Sequence, residues 1–230
     1  MKKRTAFISA LVSLIPLGQP LLIKTGITLS SVGLTLFVSE KVNAESAESL
    51  NKKGMQEYYK GDHYAAISYY SKAIKMNPNE PAYWNNRGLS KNLIGDLYGA
   101  LNDFQRAVIV DKDYDEAFGN LCAVNIDLED YYGAISACNK AIKLSLKERH
   151  FSNRGNAKRL LEDYEGAIRD FDKAIEIDPK NYRPLLLRSM IKELMGDIKG
   201  ACLDAKKSVS LGNNDEQDNN WIKENCKRKH

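Results

Sequence analysis

Alanine recurs at Ala66, Ala100, Ala134, Ala167 and Ala201, at spacings of 34, 34, 33 and 34 residues. An aspartate stands four residues before each one: Asp62, Asp96, Asp130, Asp163 and Asp197. A second small residue follows seven later, at Ala73, Ala107, Ala141, Ala174 and Ser208. A fixed period of this length means stacked units, each of which buries its face only against its neighbours. Such an array offers an extended surface rather than a reaction centre.

Each period reads as two amphipathic helices joined by a tight turn. In one of them the apolar positions run from Tyr83 to Ile94 and again from Leu97 to Val110, with Gly95-Asp96 between. Glycine permits the left-handed backbone at which a helix stops, and the aspartate can accept hydrogen bonds from free amides at the next helix start. Gly61-Asp62 and Gly196-Asp197 repeat the device. Glu129-Asp130 and Glu162-Asp163 keep the aspartate without the glycine, so the turn demands more of those glutamates. Asn77-Pro78 and Asp178-Pro179 close second helices, because proline cannot continue one.

The net charge of +4 invites a nucleic-acid reading, but its location argues against it. Residues 1–44 hold Lys2, Lys3, Arg4, Lys24 and Lys41 against Glu40 alone, which leaves basic and acidic residues in equal number over 45–230. A neutral body sets up no strong field toward phosphate, and Lys227-Arg228-Lys229 reads as a solvated tail. The first residues read as an export segment: a basic start Met1–Arg4, an apolar stretch Ala6–Leu17, and a small-x-small site at Val42-Asn43-Ala44. A second apolar stretch, Leu21–Val38, is just long enough to span a bilayer if Lys24 snorkels. Residues 1–44 therefore fit either a cleaved signal peptide or an N-terminal membrane anchor. Both place the repeats across the cytoplasmic membrane, in a periplasm, a lumen or the medium.

The pattern resembles the tetratricopeptide repeat. Trp84, Gly88, Ala100-x-x-x-Phe104 and Ala107 match that motif, as do Leu50, Gly54, Ala66-x-x-x-Tyr70, Ala73 and Pro78. Phe151, Gly155, Ala167-x-x-x-Phe171, Ala174 and Pro179 match it again. The third period departs, with Cys122 in the small slot and Cys138 in the aromatic one. The fifth carries Ser189, Ala205 and Asn213 where glycine, an aromatic and proline are usual. Units are expected at 47–80, 81–114, 115–147, 148–181 and 182–215, with a capping helix and basic tail over 216–230. The resemblance implies an all-α, right-handed solenoid of five helix-turn-helix repeats, similar to small exported tetratricopeptide proteins of bacteria, cyanobacteria included.

Comparison among the units adds cross-links. Arg87, Arg154 and Arg188 each have an aspartate sixteen residues on, at Asp103, Asp170 and Asp204, and the other two units lack both partners. The joint presence predicts ion pairs between the two helices of units two, four and five. Cys202 follows the fifth repeat alanine and Cys226 lies on the capping helix, so a disulfide there would fasten the open end of the array. Cys122 and Cys138 occupy interior slots of one unit and fit buried thiols or a bond equally.

Phosphate loops, zinc-protease motifs and nucleophile elbows are all missing from the sequence, and no cofactor or metal set is legible, so a non-enzymatic role is expected. The resemblance implies binding of an extended peptide or helix along the concave face lined by first helices. Asn86, Asn120 and Asn153 share one slot there, and an amide suits a peptide backbone because it both donates and accepts. Tyr58, Tyr59, Asn85, Asn156, Arg149, Arg159 and Arg183 are the expected neighbours. The three arginines lie toward the C-terminal end, where an acidic segment of a partner protein would fit. The expectation is an adaptor or assembly scaffold. A membrane-tethered assembly factor and a self-associating structural subunit are the alternatives.

Overall fold

The computed structural model describes residues 27–30, 33–36 and 45–226. The chain divides into two compact units, Met1–Ser46 and Ala47–His230. In the first, β1 (Ile27–Ser30) pairs antiparallel with β2 (Gly33–Leu36), Ile27 opposite Leu36 and Ser30 opposite Gly33. The basic start, the first apolar stretch and the cleavage site expected at Val42–Ala44 lie outside the described residues, as does the basic tail. No helix among the described residues is long and apolar enough to cross a membrane.

The second unit is an α-solenoid. Its helices are α1 (Ala47–Lys60), α2 (His63–Met76), α3 (Pro81–Leu93), α4 (Leu97–Val110), α5 (Asp115–Asp127) and α6 (Tyr131–Leu144). They continue with α7 (Glu148–Leu160), α8 (Tyr164–Ile177), α9 (Tyr182–Leu194), α10 (Ile198–Ser210) and α11 (Glu216–Asn225). The first ten pack as consecutive pairs, and each even helix also packs on the next odd one. Odd helices touch each other in succession, α1 to α3 through α7 to α9, whereas no two even helices meet. The odd helices therefore form the inner layer and the even helices the outer one.

The turn chemistry sets the boundaries. Asp62, Asp96, Asp130, Asp163 and Asp197 each turn Oδ1 onto the backbone N–H three residues on, at 2.8–2.9 Å. One otherwise orphaned amide per even helix is thereby satisfied. Gly61, Gly95 and Gly196 take φ of 85°, 82° and 81° just before the aspartate. Glu129 and Glu162 hold the same left-handed position at 61° and 62°. A side chain there costs roughly 1–2 kcal/mol, so the geometry of the turn prevails over the preference of the residue.

The repeat alanines are packing requirements. Ala66, Ala100, Ala134, Ala167 and Ala201 are all completely buried. Tyr70, Phe104 and Phe171 lie flat on Gly54, Gly88 and Gly155, where a Cβ would come within 2.5, 2.7 and 2.9 Å of the ring. A methyl group at any of those glycines displaces an aromatic ring.

Candidate partner-binding face

Three aspartates organise the helix pairs. Arg87 donates from Nε and Nη2 to both oxygens of Asp103, at 2.8 and 2.7 Å. Arg154 does the same to Asp170 at 2.9 and 2.6 Å, and Arg188 to Asp204 at 2.8 and 2.6 Å. All three aspartates are buried. Each also takes a lysine one helical turn beyond the arginine: Lys91 at 2.9 Å, Lys158 at 2.7 Å and Lys192 at 2.7 Å. A buried carboxylate is thus matched by a bidentate fork and an ammonium, which offsets its desolvation. The remaining arginine N–H groups reach back to the preceding pair, from Arg87 to Ser71 at 3.0 Å, from Arg154 to Asn139 at 2.7 Å and from Arg188 to Asp172. The guanidinium planes of Arg87 and Arg154 also lie over the rings of Trp84 and Phe151. The lysines were readable as Arg-x-x-x-Lys, present only where the arginine is present.

The third pair has Leu121 and Ala137 in those slots, and a disulfide joins Cys122 to Cys138 in the next, with Cα atoms 5.2 Å apart. The bond occupies the place of the glycine–aromatic contact. Cys202 and Cys226 are also bonded, Cα atoms 5.6 Å apart, fastening α11 to α10.

The asparagines of the repeated slot also bond to neighbouring helices. Asn86 Nδ2 donates to Asn51 Oδ1 at 3.1 Å, and Asn120 Nδ2 to Asn85 Oδ1 at 2.8 Å. These are bonds between successive odd helices, so the amides stitch the inner layer together. Asn85, expected on the open face, is only 3% exposed. The reason is geometric: the slots of Asn86 and Asn120 face the preceding odd helix across the inter-pair contact. Asn153 is half-buried and would meet Gly119 in the same relation, where no amide is available.

That junction is built otherwise. His150 is fully buried against Gly119, where a Cβ would come within 2.7 Å of its ring. Its Nε2 lies 3.4 Å from Asp115 Oδ2, which also takes Lys147 at 2.7 Å. Burial pushes the imidazole below its ordinary pKa, and Asp115 opposes that only in part. Burial likewise raises the Glu148 carboxyl and lifts Tyr114 to about 12. His150 gave no sequence signal, because its partner is the absence of a side chain at Gly119.

The outward side chains of the odd helices make up the candidate face. Tyr58 and Tyr59 meet edge to face at 5.5 Å, Tyr59 being 79% exposed, and with Met55, Asn86 and Leu89 they border a shallow pocket floored by Tyr70. Farther along, Arg149 and Arg183 are exposed. Arg159 is half-buried and donates from Nε and Nη2 to Asn156 Oδ1 at 3.1 and 2.9 Å, so these two form a closed pair on their own helix. Among the described residues, no group of three or more His, Cys, Asp or Glu side chains is arranged to hold a metal ion.

Tetratricopeptide repeat family models match residues 47–80 and 149–181. No curated protein matches the sequence. Among solved structures, the crystal structure of MamA is 25% identical with a TM-score of 0.63, covering 69% of this chain and 93% of that one. YrrB, a TPR protein with an unusual peptide-binding site, is 15% identical with a TM-score of 0.63, covering 79% of this chain and 94% of that one. The hetero-tetramer of the APC/C proteins Cut9 and Hcn1 gives 16% identity and a TM-score of 0.72, covering 80% of this chain and 37% of that one.

Proposed function

The chain belongs to the tetratricopeptide repeat proteins, and from that premise we propose that it is a non-enzymatic adaptor or assembly scaffold holding a protein partner against its odd-helix face. The observation that carries this reading is the continuity of that face. Each odd helix touches the next, so one uninterrupted surface runs from α1 to α9. Nucleic acid has no comparable stripe of positive charge to follow.

The face is graded. Aromatic side chains, Tyr58 and Tyr59, mark its first part, and exposed Arg149 and Arg183 its later part, with Arg159 beside them. A peptide or helix with an acidic segment against α7 and α9 fits that grading. Asn86, Asn120 and Asn85 join successive helices of the face, and Asn86 also lines the pocket beside Tyr58 and Tyr59. We also place the array in an oxidising compartment reached through residues 1–44, cleaved or retained as a membrane tether. Two disulfides support that placement.

Affinity capture from membrane and soluble fractions tests the reading. Wild type is compared with a variant carrying Arg149→Glu, Arg159→Glu and Arg183→Glu, the helicity of both being checked first. A partner retained by wild type and lost by the variant supports the face. The same partners on both would overturn it.

One observation favours a second reading, self-association along another edge. Tyr64, Tyr98 and Tyr132 start α2, α4 and α6 at the same slot, and each is more than 70% exposed. A stable oligomer by light scattering that Tyr98→Ser dissolves would select it.

A further inference from the structure

The last helix breaks the packing rule of the array. Helices α3, α5, α7 and α9 each pack closely on both the even helix before them and the odd helix before that, whereas the backbone of α11 packs closely on α10 and stays away from that of α9. The disulfide Cys202–Cys226 holds it in this position, from the outer layer. A cleft is left between α9 and α11, and one side-chain bond crosses it, Trp221 Nε1 donating to Glu193 Oε1 at 2.6 Å.

The floor of the cleft is the slot that carries Tyr70, Phe104 or Phe171 elsewhere. Here that slot holds Ala205, with Ser189 in the place of the facing glycine, so no ring covers the floor. Leu186, Met190 and Trp221 form apolar walls. The equivalent pocket between α1 and α3 is closed below by Tyr70, which makes the missing ring the difference between the two. Glu193 and Asp218 line the cleft, and among the described residues neither has a cation in ion-pair contact. Gln217, also on the rim, makes no side-chain hydrogen bond among the described residues.

We propose that the cleft between α9 and α11 is a second binding site, which takes an aromatic side chain of a partner protein flanked by basic residues. The ring fills the slot that Ser189 and Ala205 leave open and stacks beside Trp221. The flanking cations meet Glu193 and Asp218. The site shares α9 with Arg183 but has the opposite charge preference, so failure of the acidic-partner reading and failure of this one are distinguishable.

The chain has two tryptophans, hence two indole N–H signals. Trp84 donates to the Pro78 carbonyl in another part of the array and serves as the internal control. The full chain is titrated with acetyl-Lys-Phe-Lys-amide, followed by nitrogen–proton NMR, Trp221→Phe assigning the signal. A saturable shift of Trp221 alone is expected, with Kd on the order of 1 mM. Acetyl-Glu-Phe-Glu-amide is expected to bind about tenfold more weakly. Ser189→Gly with Ala205→Phe rebuilds the glycine–aromatic pair of the other units and should abolish the shift. If that variant does not fold, Glu193→Gln with Asp218→Asn should remove the preference for the lysine peptide. A Trp221 signal that stays put, responds equally to both peptides, or still responds after the slot is filled would overturn the proposal.

Discussion

In the second and fourth helix pairs, arginine, aspartate and lysine join the two helices and a phenyl ring lies on a glycine. In the third pair the Arg–Asp slots hold Leu121 and Ala137, the glycine and ring are replaced by Cys122 and Cys138, and a covalent bond spans the gap. The helices nonetheless end at corresponding turns, with Asp130 capping α6 as Asp96 caps α4. The difference shows that the hairpin geometry is set by caps and repeat alanines, while the cross-link between its helices is interchangeable. What changes is the condition each link responds to: a reductant opens the disulfide and leaves the ion pairs as they are.

The sharpest way to break the comparison is to remove the third pair's link. Cys122→Ala with Cys138→Ala opens a 16-residue connection and is expected to lower stability by about 3 kcal/mol in the chain-entropy treatment. Hydrogen exchange should locate the loss in α5 and α6 and leave α3 and α4 as before. Uniform loss across all the helices would show that the array unfolds as one body.

Next comes the carboxylate at the centre of the fourth pair. Asp170→Ala leaves Arg154 and Lys158 facing each other without an anion and should cost about 2–3 kcal/mol by urea denaturation. Arg154→Ala keeps the Lys158 contact and should cost about 1 kcal/mol. Equal losses would mean that the lysine does not share the charge.

A smaller effect is expected at the ring slots. Gly88→Ala drives a methyl into Phe104 and should destabilise by about 1–2 kcal/mol. Ser189→Ala, in the pair with no ring, displaces nothing and loses only the hydroxyl's bond to the Leu186 carbonyl, about 0.5–1 kcal/mol. Thermal melting of the two single variants side by side makes the test.

The smallest expected effect has the opposite sign. Glu129→Gly and Glu162→Gly relieve a left-handed backbone at a non-glycine residue and should each stabilise by about 0.5–1 kcal/mol. A loss at either site would show that the glutamate side chain contributes more than its backbone costs.

The elements that repeat were legible in the sequence. The alanine–aspartate period placed the turns and caps, because one physical need, a free amide at each helix start, recurs with the same answer. The pairs of Arg87, Arg154 and Arg188 with their aspartates were readable for the same reason, since units that lack them act as internal controls. Features that occur once were not legible. His150 sits where Gly119 leaves room, and the two are 31 positions apart with no counterpart in other units. The bonds of Asn86 and Asn120 to the preceding odd helix were not legible either, because repetition at one slot looks alike whether the neighbour is a peptide or that helix. Only the contact between odd helices separates the two, and that depends on how closely the pairs stack.

The two disulfides join cysteines that are neighbours in the sequence, Cys122 with Cys138 and Cys202 with Cys226. Four cysteines allow three connectivities, and this is the one in which each bond closes before the next cysteine pair begins. A chain that meets an oxidant progressively, N-terminal part first, makes the correct set by oxidising each thiol with the next one to arrive. Isomerisation is then unnecessary: for a chain exported N-terminal part first, the order of entry would supply the order of assembly.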